Sequence, residues 1–340
     1  MAGLRVGLGV LTLALASLAW AQAPARPSAL APTDGDVSGR SVSDWLQRIH
    51  EASRQRAYVG TFVVSSGARM SSAKIWHVCD GDQQMERIES LTGPARSTFR
   101  RNDQVMTFLP DAGVVVAERR ESLGIFPGLL PSWDASIAQF YRGKALGSER
   151  VAGVEADVLQ LRPVDNLRYG YRVWTEKRSA LVVRLETLDD NGRMLESVAF
   201  SDLQLDAPVS MDKLNQMMGA TEGYRIERPD VVATTAQAEG WTLKRAVPGF
   251  KSMSCYRRAP AAGADAKTES TLQWIFSDGL ASVSLFIEPY SPKRHAQNGS
   301  WASGATRTLT RRMGQWWLTA VGEVPLRTLA VFAQELERQK

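Results

Sequence analysis

Along most of this chain apolar and polar residues alternate in short runs bounded by turn residues, the pattern of half-buried antiparallel strands. Ahead of them, Ser43 stands where it can cap a short helix whose Trp45, Leu46, Ile49 and Ala52 fall on one stripe, ending near Tyr58. Strand-like runs follow at 58–65, 73–78, 85–90, 97–101, 105–109 and 114–119. Turn chemistry separates them at Asp80-Gly81, Gly93-Pro94, Asn102-Asp103 and Pro110-Asp111. Further runs occupy 158–162, 170–175, 181–188 and 195–205, with Asp190-Asn191-Gly192 as a hairpin signal between the last two. Strands spaced about 8–12 residues apart with no helical pattern between them predict one antiparallel meander. Such a sheet curls as it widens and leaves one face to be covered.

A second region begins after a Met-rich helical turn over 211–218, capped by Ser210. Strand patterns return at 240–243, 251–257, 273–276, 280–287 and 316–321, and the small, polar stretch 259–270 reads as a flexible hairpin loop. Pro325 suits the first position of a closing helix, with Leu326, Leu329, Ala330, Ala333 and Leu336 at helical spacing. The expected fold class is α+β: a curved antiparallel sheet covered by helices, then a smaller C-terminal α/β domain with its own antiparallel sheet. The expected boundaries are a signal peptide over 1–23, a flexible N-terminus over 24–42, a first domain over 43–206, a linker over 207–222 and a second domain over 223–338.

One segment breaks the pattern. GIFPGLLPSWDASIAQFY, residues 124–141, is rich in apolar residues, yet Pro127 and Pro131 prevent it from pairing as another strand. It either packs on its own sheet as a crossover, with Ile137 and Phe140 as core, or lids an apolar cavity on the concave face. Arg119 and Arg120 before it, and Arg142 and Lys144 after it, would suit an anionic head group at the mouth of such a groove.

At 340 residues, with 44% hydrophobic and 23% charged positions, the chain can bury two cores. Its net charge of +5 comes from dispersed arginine doublets such as Arg100-Arg101 and Arg311-Arg312, with no dense basic block, so nucleic acid is not an expected partner. Arg5, the apolar run 6–20 and two A-x-A sites ending at Ala21 and Ala23 form a secretory leader. Export makes the two cysteines, Cys79 and Cys255, a candidate disulfide; without a CxxC motif they are neither a thioredoxin-like pair nor a structural zinc site. The three histidines His50, His77 and His295 fall in no HExxH or triad context, and there is no G-x-S-x-G elbow or P-loop. Asp189-Asp190-Asn191-Gly192 lacks the glutamate of a calcium loop, because Val198 stands in its place. The pattern points to a binding protein, with no cofactor and no catalytic group, rather than to an enzyme acting on envelope glycans or lipids.

Several stretches carry a family resemblance: MTFLPD at 106–111, GIFPGLLP at 124–131, RVAGVEADVLQLRPVDNLRYGYRVW at 150–174, SALVVRLETLDDNGRMLESVAF at 179–200, FSDGLASVSLFIEP at 276–289 and VGEVP at 321–325. Together, across residues 43–336, they resemble the RseB/MucB periplasmic regulators. The resemblance implies a first domain similar to the lipoprotein carriers LolA and LolB, a half-open barrel with helices over its hollow. It implies a second domain that grips the periplasmic segment of a membrane-spanning anti-sigma factor. Binding would shield that segment from the site-1 protease and keep the envelope-stress sigma factor off, and lipid or lipopolysaccharide would favour release. A periplasmic lipid or lipoprotein carrier is the competing expectation, although it gives the second domain no task. Self-association into a homo-oligomer is compatible with either. The groove candidates are Phe108, Ile125, Phe126, Leu129, Leu130, Trp133, Phe140 and Trp174, with Arg119, Arg120 and Arg142 for the head group. The partner-facing candidates are the Ser277-Asp278-Gly279-Leu280 turn, with its following strand, and Arg311-Arg312.

Overall fold

Helix α1 (Val42–Gln55) opens on Ser41 rather than Ser43. The Ser41 hydroxyl accepts from the Asp44 amide at 3.1 Å, and the Asp44 carboxylate accepts from the Ser41 amide at 3.4 Å. Ser43 cannot form this reciprocal box, because the residue three positions on is Leu46. The computed structural model describes residues 41–119, 126–127, 135–259, 270–295 and 297–339. The expected leader, the flexible stretch up to residue 40 and most of the 259–270 loop lie outside the described residues.

Eleven strands follow α1: β1 (Tyr58–Ser66), β2 (Arg69–Asp80), β3 (Gln83–Ser90), β4 (Ser97–Arg101), β5 (Gln104–Leu109), β6 (Val114–Arg119), β7 (Tyr141–Val151), β8 (Val154–Pro163), β9 (Gly170–Glu176), β10 (Val182–Leu188) and β11 (Met194–Leu205). Helix α2 (Met211–Gly219) and the short β12 (Arg225–Glu227) complete the first part. The twelve strands make one curved sheet in the order β12-β6-β5-β4-β3-β2-β1-β11-β10-β9-β8-β7, antiparallel except where β12 runs parallel to β6. The meander is closed in its middle by β1 against β11, so the half-barrel's first and last long strands are neighbours. Strand β7 had no apolar alternation to announce it: between buried Tyr141 and Val151 its side chains are mostly exposed.

Helices cover this sheet in two places. Trp45, Leu46 and Ile49 of α1 pack with Leu159, Leu161, Tyr171 and Val173. Leu214 and Met218 of α2 pack with Phe99, Phe108 and Val115, so this helix belongs to the first sheet's core and not to a linker. At the β1–β2 edge of the core, His77 is buried, stacks on Tyr58 at 4.8 Å and donates through Nδ1 to the Arg56 carbonyl at 2.9 Å. Burial lowers its pKa below the usual 6.5. Its contribution to stability is therefore full above about pH 6.5 and lost as pH falls through the lowered native value. We expect the urea midpoint to fall between pH 7 and pH 5, and His77→Gln to flatten that fall.

The second sheet contains β13 (Val231–Ala233), β15 (Lys251–Arg258), β16 (Thr271–Ser277), β17 (Ser282–Pro289), β18 (Gly299–Ser303), β19 (Thr306–Met313) and β20 (Trp316–Gly322), in the order β13-β15-β16-β17-β20-β19-β18. Helix α3 (Leu326–Glu335) begins directly after Pro325, and its Leu329, Phe332 and Ala333 pack on Phe276, Leu285, Leu318 and Ala320. The chain after Glu335 leaves the expected helix. Residues Leu336–Arg338 form β21, paired with β14 (Trp241–Leu243), and the Arg338 guanidinium lies over Trp241 and Trp316 at 5.2 and 4.4 Å.

Candidate functional site

The two sheets meet at a joint built around Arg168. The loop between β8 and β9 turns on Asp165, whose carboxylate accepts from the Leu167 amide at 3.0 Å. That turn aims Arg168 at the second sheet. Its Nε donates to Asp278 at 2.6 Å, Nη2 donates to the Pro248 carbonyl at 2.7 Å, and Nη1 is held by Asp165. The guanidinium lies over Phe140 at 4.3 Å and over Phe250 at 4.9 Å. Arg168 and Asp278 both have fully buried side chains. The Asp278 carboxylate also accepts from the Leu280 and Ala281 amides, at 2.9 and 2.7 Å, and from the Tyr141 hydroxyl at 3.2 Å. Burial, and then Asp278, hold the Tyr141 phenol well above its ordinary pKa, so it stays a donor. A buried ion pair is tolerated when its members are hydrogen-bonded, and here each nitrogen of Arg168 and each oxygen of Asp278 has a partner.

Backbone shape completes the joint. Gly279 has φ 99°, and a Cβ there would overlap Ile137; Gly249 has φ 77°, and a Cβ there would overlap Arg168 and Phe140. Thr328 donates to the Leu167 carbonyl at 2.7 Å, and Arg327 pairs with Asp190. The Ser277-Asp278-Gly279-Leu280 turn, expected to face a partner, thus faces the chain's own first domain. Sequence reasoning passed over Arg168 because its partner is 110 residues away. The signal was present all the same: Arg168 opens RYGYRVW and Asp278 lies in FSDGL, two of the stretches that carried the resemblance.

The groove candidates separate. Phe126 sits between Phe62 and Phe200, at 5.7 and 5.0 Å, in the same packed cluster as Trp174. Trp174 donates its indole N–H to Glu149 at 2.8 Å. Phe108 packs instead with Phe99 and Tyr224, both at 5.4 Å, under α2. Phe140 belongs to the Arg168 joint. Ile125, Leu129, Leu130, Trp133 and Arg120 lie outside the described residues. Arg119, paired with Asp103 at 3.7 Å, opens with Arg228 and Arg258 onto a cleft of about 700 Å³ whose floor includes Met106, Met218 and Tyr256. Arg142 is exposed on β7, and Arg311 and Arg312 are exposed on β19, where the Arg312 guanidinium lies 3.9 Å from the Tyr290 ring centre.

His295 stacks on Trp317 at 4.8 Å, bonds Glu288 through Nε2 at 3.0 Å and accepts from the Ser291 amide through Nδ1 at 2.9 Å. That is a structural histidine, and among the described residues no group of His, Cys, Asp and Glu could hold a metal ion. Cys79 and Cys255, the candidate disulfide, are free thiols on different sheets. Burial, with Glu239, pushes the Cys255 thiol up to about 11, while Cys79 is only half-buried. A thiol reagent should therefore label Cys79 first in native protein and both cysteines in denaturant. Absence of free thiol in denaturant would contradict this.

The joined sheets and their closing helices are matched by two family models. The MucB/RseB N-terminal domain model covers residues 41–218 and the MucB/RseB C-terminal domain model covers residues 235–337. The chain belongs to the MucB/RseB family. Its relatives include the sigma factor AlgU regulatory protein MucB of Pseudomonas aeruginosa, 30% identical over 84% of this chain and 88% of that protein. The sigma-E factor regulatory protein RseB of Escherichia coli is 23% identical over 86% of this chain and 89% of that protein. Among solved structures, MucB in complex with MucA(peri) matches with a TM-score of 0.66 and 26% identity, across 88% of this chain and all of that one. MucB alone matches with a TM-score of 0.62 and 26% identity, across 87% of this chain and 98% of that one. These MucB/RseB relatives are named as regulatory proteins, and the likeness extends over both sheets.

Proposed function

We propose that this protein works in the periplasm, where it binds the periplasmic domain of a membrane-spanning anti-sigma factor, shields it from site-1 proteolysis and so keeps the envelope-stress sigma factor off. The observation that carries the reading is the match along both domains to MucB held in complex with MucA(peri). The secretory pattern over residues 1–23 supports the location. The half-barrel takes an acyl chain of a lipid or lipopolysaccharide in the hollow that Phe126 now fills between Phe62 and Phe200. Lipid and anti-sigma factor oppose each other by linkage: if lipid prefers the free protein, it weakens the complex by the same coupling free energy, typically about 1–3 kcal/mol. The route for that coupling is the 135–141 stretch, which follows the Phe126 segment and packs its Ile137 and Phe140 into the Arg168 joint. The test is cleavage of the purified anti-sigma periplasmic domain by its site-1 protease. Cleavage should slow when this protein is added and recover on adding an acylated lipid. Unchanged cleavage with the protein present contradicts the regulatory reading, and lipid transfer without any effect on cleavage would favour a carrier.

A further inference from the structure

Strand β18 is one of the two edges of the second sheet, unpaired on its outer side among the described residues, and nothing in its composition protects that edge. Edge strands are normally guarded by charge, proline or a bulge, because their unpaired N–H and C=O groups invite another strand. β18 reads Gly-Ser-Trp-Ala-Ser, all five residues are exposed, and its register with β19 runs unbroken from Gly299 opposite Thr310 to Ser303 opposite Thr306. Trp301 is 56% exposed, so a large aromatic side chain stands in water at the middle of this edge. The register continues from Trp301 through Thr308, Val321 and Ser284 to Ile275, the sheet face opposite the one α3 covers.

Charge selects the occupant. The neighbouring strand carries Arg307, Arg311 and Arg312, and Lys293 and Arg294 lie in the turn before β18. Of the carboxylates nearby, Glu288 is already held by Arg294 at 3.0 Å and by His295 at 3.0 Å, and Glu196 lies at the Gly304 turn that follows Ser303. A second copy of this edge would bring arginine against arginine, whereas an acidic segment would find complementary charge. We propose that β18 is a strand-addition site for an extended, acidic-flanked segment of the anti-sigma factor's periplasmic domain, with Trp301 covering an apolar residue of that segment. The inference rests on the partner proposed above and adds where and how it is held: main-chain hydrogen bonds for affinity, Trp301 and the arginines for selection.

The experiment titrates the full mature protein with the purified periplasmic domain of the anti-sigma factor from the same genome, by calorimetry and by amide hydrogen exchange. Slower exchange across 299–303 in the complex is expected, with affinity lowered at least about tenfold by Trp301→Glu and little changed by Trp301→Phe. Trp301 is exposed, so the melting temperature of both variants should match wild type, which separates lost binding from lost folding. Met70→Glu, at a residue 73% exposed on β2, is the control and should bind as wild type does. Tight binding of Trp301→Glu with unchanged exchange at 299–303 would overturn the strand-addition proposal while leaving the partner intact. No binding by wild type would instead overturn the partner itself.

Discussion

Replacing Arg168 with alanine should lower the unfolding free energy by about 3–5 kcal/mol, the range seen when one member of a buried ion pair is removed. The substitution strips Asp278 of its charged partner in a fully buried position, frees the Pro248 carbonyl and leaves a gap between Phe140 and Phe250. Asp278 keeps its bonds from the Leu280 and Ala281 amides, so the turn itself persists while its charge is left unbalanced. The double variant Arg168→Met with Asp278→Asn should regain part of the loss, because it removes both charges and keeps an acceptor for those amides. Urea unfolding of wild type, Arg168→Met, Asp278→Asn and the pair measures the coupling. A loss below about 1 kcal/mol for Arg168→Ala would mean that the joint does not hold the sheets together.

Phe126→Ala is expected to act in two directions. Phe126 is half-buried between Phe62 and Phe200, so its removal should cost about 2–4 kcal/mol, at or below the usual figure for a core phenylalanine. The same change opens an apolar space of the kind that takes up apolar ligands. A single-chain amphiphile such as lauric acid, below its micelle concentration, should then bind the variant more tightly than wild type and restore part of its lost melting temperature. If the hollow is no acyl site, the amphiphile will leave both melting temperatures unmoved.

The first sheet was legible because its strands carry alternation and its turns carry Asp-Gly, Asn-Asp and Asn-Gly signals. What escaped was what depends on distant residues or lacks contrast. β7 presents a mostly exposed surface, and β18 is small and polar around a single tryptophan, so neither shows a period. Leu336 continues the apolar spacing of α3, but pairing with Trp241–Leu243 draws Leu336–Arg338 out of the helix. The candidate site was less legible for the same reason. Apolar residues grouped by sequence fold apart: Phe108 packs under α2, whereas Phe126 and Phe140 both pack against the cluster beneath α1. The Asp278 turn looks exposed from its Asp-Gly chemistry and is buried because Arg168, Tyr141 and Ile137 meet it from the other domain.

The most direct measurement is the affinity of the mature protein for the purified periplasmic domain of the anti-sigma factor from its own genome, by titration calorimetry at moderate salt. We expect a saturable complex with a dissociation constant below about 1 μM, corresponding to roughly −8 kcal/mol or better. Affinity should fall as salt rises, because exposed arginines contribute to the contact. Absence of binding at partner concentrations of about 100 μM would contradict the proposed function.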